Sequence, residues 1–387
     1  MSFSYVTEFF NQDKIKSEKG YHIDWLLFFS TIPILSAGLV TMNSFVGENT
    51  FFEKQIIWIC ISVIAFFILS YIDFRFLRRS SVVVSVFGAS ILLLLTLTLL
   101  GKVSKGAQSW FSFGFISFEP ADFAKIALIL VLAKYFSRRH IEIANFKHII
   151  ISGIYAIVPF ILVALHPDFG SALIIFLIWF GIVMVSGISK KHLLLVFLIG
   201  AISIAFLWVN VFKEYQKQRI INFIYPMNDI MGTGYNAYQS TIAVGSGQIL
   251  GKGLGYGTQS RLKFLPEYET DFVFAAFAEE WGFVGVIILF LSYSLLIWRI
   301  LSNAIKGSTN FEILFGIGLA ILFASHFFIN VGMNIGLLPV TGINMPFMSY
   351  GGTYMLISFA GLGILMGMRR YSRAAHKDLI KNEFLGI

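Results

Sequence analysis

Charge is scarce in this chain. Of its 387 residues only 13% are Asp, Glu, Lys or Arg, against 57% hydrophobic, whereas soluble domains carry roughly a quarter charged residues. An ordinary soluble enzyme is excluded. Cysteine is scarcer: the single thiol, Cys60, sits in an apolar run, which rules out an internal disulfide or a CxxC metal site and makes it a small buried hydrophobe. With seven histidines and no dense His/Cys/Asp cluster, any metal would have to be weakly held or shared with substrate. A removable leader is also missing, because the first apolar run starts too far from Met1 and lacks a small-residue cleavage site.

Long apolar runs are what the sequence has in abundance. At roughly 20 residues per span, they predict membrane helices over 23–43, 55–72, 81–100, 121–136, 149–165, 170–187, 192–211, 272–298, 312–333 and 350–368. The expected fold is all-α: a single integral membrane domain over 1–387 with ten transmembrane helices and a long external re-entrant loop between helices 7 and 8. Residues 1–22 form a cytoplasmic segment, 212–271 the loop and 369–387 a cytoplasmic tail. With the N-terminus inside, the inner segments hold Lys14, Lys16, Lys19, Arg75, Arg78, Arg79, Arg138, Arg139, Lys147, Lys190, Lys191, Arg299, Lys306, Arg369, Arg370, Arg373, Lys377 and Lys381. The short outer loops hold only Lys54, Lys102 and Lys105. That asymmetry sets both termini in the cytoplasm and explains the net charge of +8 without nucleic acid.

Two features stand apart from this accounting. Lys125 lies within the fourth span, one turn after a helix start at Glu119-Pro120-Ala121-Asp122. It can pair with Asp122, snorkel outward, or reach Asp168 in the outer turn His166-Pro167-Asp168-Phe169-Gly170. Lys134 reads as a snorkelling anchor. The second feature is the loop. Its residues mix Ile220, Ile221, Phe223, Ile224 and Tyr225 with glycines and polar groups, a pattern of interfacial helices and re-entrant turns. Gly251-Lys252 is not a phosphate-binding P-loop, since position 246 is Ser and Gly253 replaces the Ser/Thr. The glycines at 245, 247, 251, 253, 255 and 257 allow either loop flexibility or close backbone approach to a phosphate.

Past the loop, Thr270 or Asp271 can cap the eighth helix. Below Asp271 one face runs Ala275, Ala278, Gly282 and Gly285, a small-residue stripe expected to pack on another helix. Glu279 and Glu280 lie deeper and call for structural pairing or function. The last outer turn, Pro339 to Gly352, is broken by Gly and Pro, which membrane depth tolerates only where backbone lines a cavity or is buried in protein.

Distributed motifs then point to a family. They are Gly106-Ala107-Gln108-Ser109-Trp110, Glu119-Pro120 with Lys125, Pro167-Asp168-Phe169-Gly170, Gln239-Ser240, Gly245-Ser246-Gly247 and Gly251-Lys252-Gly253. They continue through Gly257-Thr258-Gln259-Ser260, Phe264-Leu265-Pro266-Glu267, Thr270-Asp271-Phe272, Glu279-Glu280 and Pro346-Phe347-Met348-Ser349-Tyr350-Gly351-Gly352. The chain resembles the SEDS family (shape, elongation, division and sporulation), bacterial peptidoglycan polymerases related to RodA and FtsW. Gly257-Thr258-Gln259-Ser260 and Thr341-Gly342 look more like RodA, so elongation outranks division. The chain departs from the family pattern at Glu269, where histidine is common, and at His166, where glutamine is common.

The resemblance implies an inverting peptidoglycan glycosyltransferase at the outer face of the bacterial cytoplasmic membrane. It would polymerise lipid II into glycan strands, with Asp271 as general base. The substrate-binding candidates are Lys125, Asp168, Arg219, Gln259, Arg261, Glu267, Thr270 and Ser349. Lys252, Lys263 and the glycine-rich loop offer further cations and amides for the departing pyrophosphate. A divalent cation, Mg or Mn, could share that work; no organic cofactor is expected. The implied partners are lipid II, the nascent glycan, membrane lipid and a class B penicillin-binding protein. Two rival readings are a lipid II flippase, which should show polar groups continuous from both faces, and a noncatalytic scaffold for a transpeptidase, which should tolerate loss of Asp271.

Overall fold

The computed structural model describes residues 23–44, 50–104, 107–113, 116–137, 146–187, 234–262 and 264–384, with isolated positions between 200 and 225. The chain order is α1 (Trp25–Asn43), α2 (Thr50–Tyr71), a 3-10 turn (Phe74–Arg78), α3 (Ser80–Leu100), β1 (Lys102–Ser104), β2 (Ala107–Phe113), β3 (Ile116–Phe118), α4 (Pro120–Ser137), α5 (Phe146–Leu165), α6 (Phe169–Val185), α7 (Tyr235–Ser246), α8 (Thr258–Arg261), α9 (Val273–Ile305), α10 (Asn310–Asn334) and α11 (Gly352–Phe384). The fold is a polytopic helical bundle. Seven described helices are long and apolar enough to cross a membrane. α6 is shorter, and α4 is interrupted by Asp122, Lys125 and Lys134. The expected span at 192–211 lies largely outside the described residues.

Helix is what these runs must form in lipid, where no water can satisfy the backbone. Their starts follow ordinary capping chemistry. Asp24 accepts from the Leu26 and Leu27 N–H groups to begin α1, Thr309 from Glu312 N–H to begin α10, and Pro120 opens α4 where its missing donor costs nothing. Gly318 meets Ile129 of α4, Gly181 of α6 meets Ile321 of α10, and Gly361 of α11 meets Leu319. Glycine at these contacts lets helix backbones approach closely. α4 and α10 are buried along most of their length and form the centre, while α2 and α3 present most of their apolar surface outward. Cys60 is on that outward surface, exposed rather than buried as its apolar setting implied; in a membrane protein an apolar run can face lipid as readily as core.

Two local structures depart from the hydropathy reading. Residues 102–118 form a small three-stranded antiparallel sheet ordered β1-β2-β3, with Phe111 opposite Phe118 and Phe113 opposite Ile116. This region lies between spans, where hydropathy has little to say. The second departure is in α9, whose helical path breaks at Gly282 (φ 64°, ψ −166°). Gly282 is therefore a break: it and Ala278 meet the glycine-rich loop, while Ala275 contacts Asn334 of α10 and Gly285 faces Pro33 and Ala37 of α1.

Candidate active site

The loop before α9 turns back into the bundle and fills that break. Phe283 and Val284 N–H donate to the Gln248 and Ile249 carbonyls at 2.9 and 3.1 Å, while Lys252 and Gly253 N–H donate to the Glu279 and Glu280 carbonyls at 3.0 and 3.1 Å. Each half of the broken helix thus finds its missing backbone partners in the loop, as membrane depth demands. Gly251 (φ 80°) and Gly247 face the α9 backbone so closely that a Cβ on either would strike the Glu280 or Ala278 carbonyl oxygen. These two glycines serve close approach to protein backbone, not to a phosphate.

Glu279 is the anchor of this insertion. Fully buried, it accepts from Lys252 Nζ at 2.7 Å, Thr258 Oγ1 at 3.0 Å and Gln259 N–H at 3.1 Å. Glu280 accepts from Ser44 Oγ at 2.6 Å and Gly255 N–H at 3.1 Å. Glu279 has the structural pairing that its depth requires, with Lys252 committed to it, whereas Glu280 is paired through Oε1 alone and its Oε2 is buried without a hydrogen-bond partner among the described residues. Of the predicted contacts on α8, Gln259 has a buried amide oxygen with no hydrogen-bond partner among the described residues. Arg261 is exposed and donates to the Gly255 carbonyl at 3.3 Å.

Above the insertion, the segment from Phe264 to Phe272 is stitched to the last turn. Ser349 Oγ donates to the Thr270 carbonyl at 2.6 Å and accepts from Met345 N–H at 2.8 Å, and Tyr350 N–H donates to the Glu269 carbonyl at 2.9 Å. Thr270 Oγ1 donates to a Glu267 carboxylate oxygen at 3.3 Å, and Glu267 takes a left-handed backbone (φ 52°). Burial, reinforced by the neighbouring Glu269 carboxylate, pushes the Tyr268 hydroxyl up to about 12 and keeps it protonated at neutral pH. Thr270 and Ser349 are thus the fastening between two segments.

Asp271 sits where those segments meet. The N-cap position of α9 is Phe272, not Thr270 or Asp271 as expected. The half-buried Asp271 carboxylate instead lies next to Gly342 (φ 75°), where a Cβ would come within 3.5 Å of Oδ2. Its backbone is fixed from below: Asn330 and Asn334 amides each donate to the Asp271 carbonyl at 3.0 Å, and Asn330 also donates to the Ile343 carbonyl at 2.7 Å. These two asparagines were missed from sequence. Their spacing of one helical turn on α10 was the signal available.

The same last turn reaches the other cluster. Gly170, two residues after Asp168, packs against Thr341 and Ile343 so tightly that it has no room for a Cβ. Asp168 accepts from Ser171 N–H at 3.0 Å and so caps α6. Lys125 and Asp122 form an ion pair at 2.8 Å with exposures of only 2% and 3%. Of the three alternatives for Lys125, the pair one turn apart on α4 is the one formed; Asp168 acts on it only through its charge. Glu119, held by Trp110 Nε1 at 3.0 Å, joins this cluster. Its low-dielectric setting and the charge of Asp122 hold its carboxyl well above the usual range, against the pull of Lys125. The final turn therefore bridges Asp271 on one side and the Lys125 cluster on the other. Arg219 and Lys263 lie outside the described residues.

No three His, Cys, Asp or Glu side chains among the described residues converge to hold a metal ion. Around Lys125 the ammonium already takes the place a cation would fill between carboxylates, so these residues do not fit a resident metal.

Comparisons with known proteins agree with this architecture. The family model for the FtsW, RodA and SpoVE cell cycle proteins matches residues 19–374. The chain is 38% identical over 289 residues to peptidoglycan glycosyltransferase MrdB of Escherichia coli K12, covering 75% of this chain and 78% of that one. Among solved structures, a chain from a peptidoglycan synthase complex that coordinates polymerization and crosslinking superposes with a TM-score of 0.77 at 29% identity, covering 90% of this chain and 98% of that one. The rod shape determining protein RodA of Thermus thermophilus gives 0.68 at 27% identity, with 92% and 99% covered.

Proposed function

The chain belongs to the SEDS family of FtsW, RodA and SpoVE proteins, and from that premise we propose how it works as a peptidoglycan glycosyltransferase. It polymerises lipid II into glycan strands at the outer face of the bacterial cytoplasmic membrane during elongation. A hydroxyl of the acceptor sugar attacks the anomeric carbon of the lipid-linked donor. The new glycosidic C–O bond forms as the C–O bond to pyrophosphate breaks, and the electron pair leaves with the polyprenyl pyrophosphate. Asp271 accepts the hydroxyl proton as attack proceeds, a role for which a positioned carboxylate is suited.

One observation carries this reading. The Asp271 backbone is pinned by the Asn330 and Asn334 amides and its carboxylate lies against Gly342, so a carboxylate is held in a fixed place where the loop and the last turn meet. The Lys125 cluster, with Asp168 and Glu119, supplies the field for the donor, and Gln259, Arg261, Glu267, Thr270 and Ser349 belong to the segments around Asp271; Arg219 is a further substrate-binding candidate from the sequence. A divalent cation, Mg or Mn, would arrive with the pyrophosphate, and no step above depends on it. Both termini face the cytoplasm, in keeping with the cation distribution, and a class B penicillin-binding protein is the crosslinking partner.

The test is polymerisation of lipid II by purified full-length protein, with and without that partner. Asp271→Asn should fold and express normally yet lose at least ~100-fold in rate, the lower end of what a general base contributes. Retained polymerisation in that variant would sink the assignment and favour a scaffold. A protein that moves lipid II between leaflets without polymerising it would favour the flippase.

A further inference from the structure

α10 and α11 bury a second polar group in the bundle interior. His326 of α10 is buried, and its Nδ1 lies 3.1 Å from the Asn344 carbonyl oxygen. A carbonyl can only accept, so Nδ1 carries the imidazole proton and Nε2 is left as an acceptor. The Tyr354 ring of α11 stacks on this imidazole, with centroids 4.7 Å apart and planes at 24°. His326 Nε2, the Tyr354 hydroxyl and Asp122 Oδ2 are all buried without a hydrogen-bond partner among the described residues. All three lie in the bundle interior, where Lys125 gives one N–H to Asp122 Oδ1 and leaves Oδ2 unpaired among the described residues. Unpaired buried polar groups cost stability that an apolar His/Tyr replacement would avoid.

We propose that His326 is a positioning residue for glycosyl transfer, resting on the reading of Asp271 as base. Through Nδ1 it holds the Asn344 carbonyl, and with it the turn that carries Gly342 against Asp271. Through the stacked Tyr354 it ties that turn to α11. The base is thereby held in place by a group that touches neither substrate nor the reacting atoms.

The experiment measures kcat and KM for lipid II with purified full-length variants, alongside melting temperature. His326→Phe removes both ring nitrogens, His326→Asn retains an amide N–H for the Asn344 carbonyl, and Tyr354→Phe retains only the stack. His326→Phe should lower kcat at least tenfold with KM changed less than twofold. His326→Asn should recover to within about threefold of wild type. Tyr354→Phe should cost a similar threefold, with no further loss when combined with His326→Asn, because the two act on one network. The proposal is overturned if His326→Phe keeps kcat within twofold of wild type, if His326→Asn recovers nothing, or if the Asn and Tyr354 effects simply multiply. Should His326→Phe fail to fold, the two milder variants decide alone. An inactive wild type, or an active Asp271→Asn, would instead overturn the polymerase mechanism whatever His326 does.

Discussion

At one end of the bundle Asp24 is saturated: it caps α1 and binds Asn303 Nδ2 at 2.7 Å together with Arg299 and Arg369. At the other end Asp271 lies just before α9, its backbone carbonyl accepting from the Asn330 and Asn334 amides. The contrast extends to proton affinity. Burial works against ionisation of Asp24, but hydrogen bonds from Asn303, Arg299 and Leu27 overcome it and hold the carboxyl below its ordinary range. Glu119, at the Asp271 end, is pushed the opposite way. Glu312 is likewise paired with Arg78 and accepts from Ser308 N–H at 2.9 Å. Charges at the Asp24 end are arranged to fasten α1, α9 and α11. At the Asp271 end a carboxyl is held well above its ordinary range, which is how a site differs from a clasp.

Substitutions can break this contrast. The largest effect belongs to Asp271→Asn, which removes activity and leaves stability unchanged; the mirror experiment, Asp24→Asn, should lower the melting temperature and leave kcat of the folded fraction intact. Gly282→Ala comes next. A side chain there meets Gly251 N and Ile249 O in a backbone conformation that L residues rarely adopt, so the loop should leave the break. We expect loss of folded protein on size-exclusion chromatography, and normal folded yield would show that the insertion is not required. Lys125→Met strands Asp122 in the core and should cost about 3–5 kcal/mol of stability. Adding Asp122→Leu should restore stability but not polymerisation, whereas restored activity would reduce the pair to a structural one.

Smaller effects follow. Arg299→Met removes one of several donors to Asp24 and should cost about 1.5–3 kcal/mol, read by thermal melts with kcat unchanged. Glu119 supplies a pH test. Because its folded-state proton affinity exceeds the unfolded value, the folded protein keeps a proton that the unfolded chain has released above its ordinary pKa of 4.5. Stability should therefore fall as pH rises from there through the raised value. Glu119→Gln should flatten that slope in melts from acid to neutral pH, and an unchanged slope would assign it to another group. Asp24 contributes in the opposite sense, with stabilisation lost only as pH falls below 3.8.

How far the site was legible depended on the range of the interaction. Asp122 and Lys125 are three apart on one helix, so their pairing was one of the stated alternatives from spacing alone; that Asp168 caps α6 was visible only in three dimensions. The Ser349 and Gly342 turn was recognisable as a buried, broken segment, but its contacts with Thr270 and Asp271 span about 70 to 80 positions of chain, a separation that periodicity does not carry. The role of Gly282 was misread for a related reason. A glycine at helical spacing looks the same whether it faces another helix or a backbone inserted into a break.

Composition determined by itself that this chain lives in a membrane, because a bilayer penalises every unmatched charge and backbone group along a segment of fixed thickness. Which charges became fastenings and which became a site was decided only in three dimensions. The loop from Gln248 to Gly253 had to enter α9, and the last turn had to span Asp271 and the Lys125 cluster, before buried groups far apart in sequence could share one low-dielectric space.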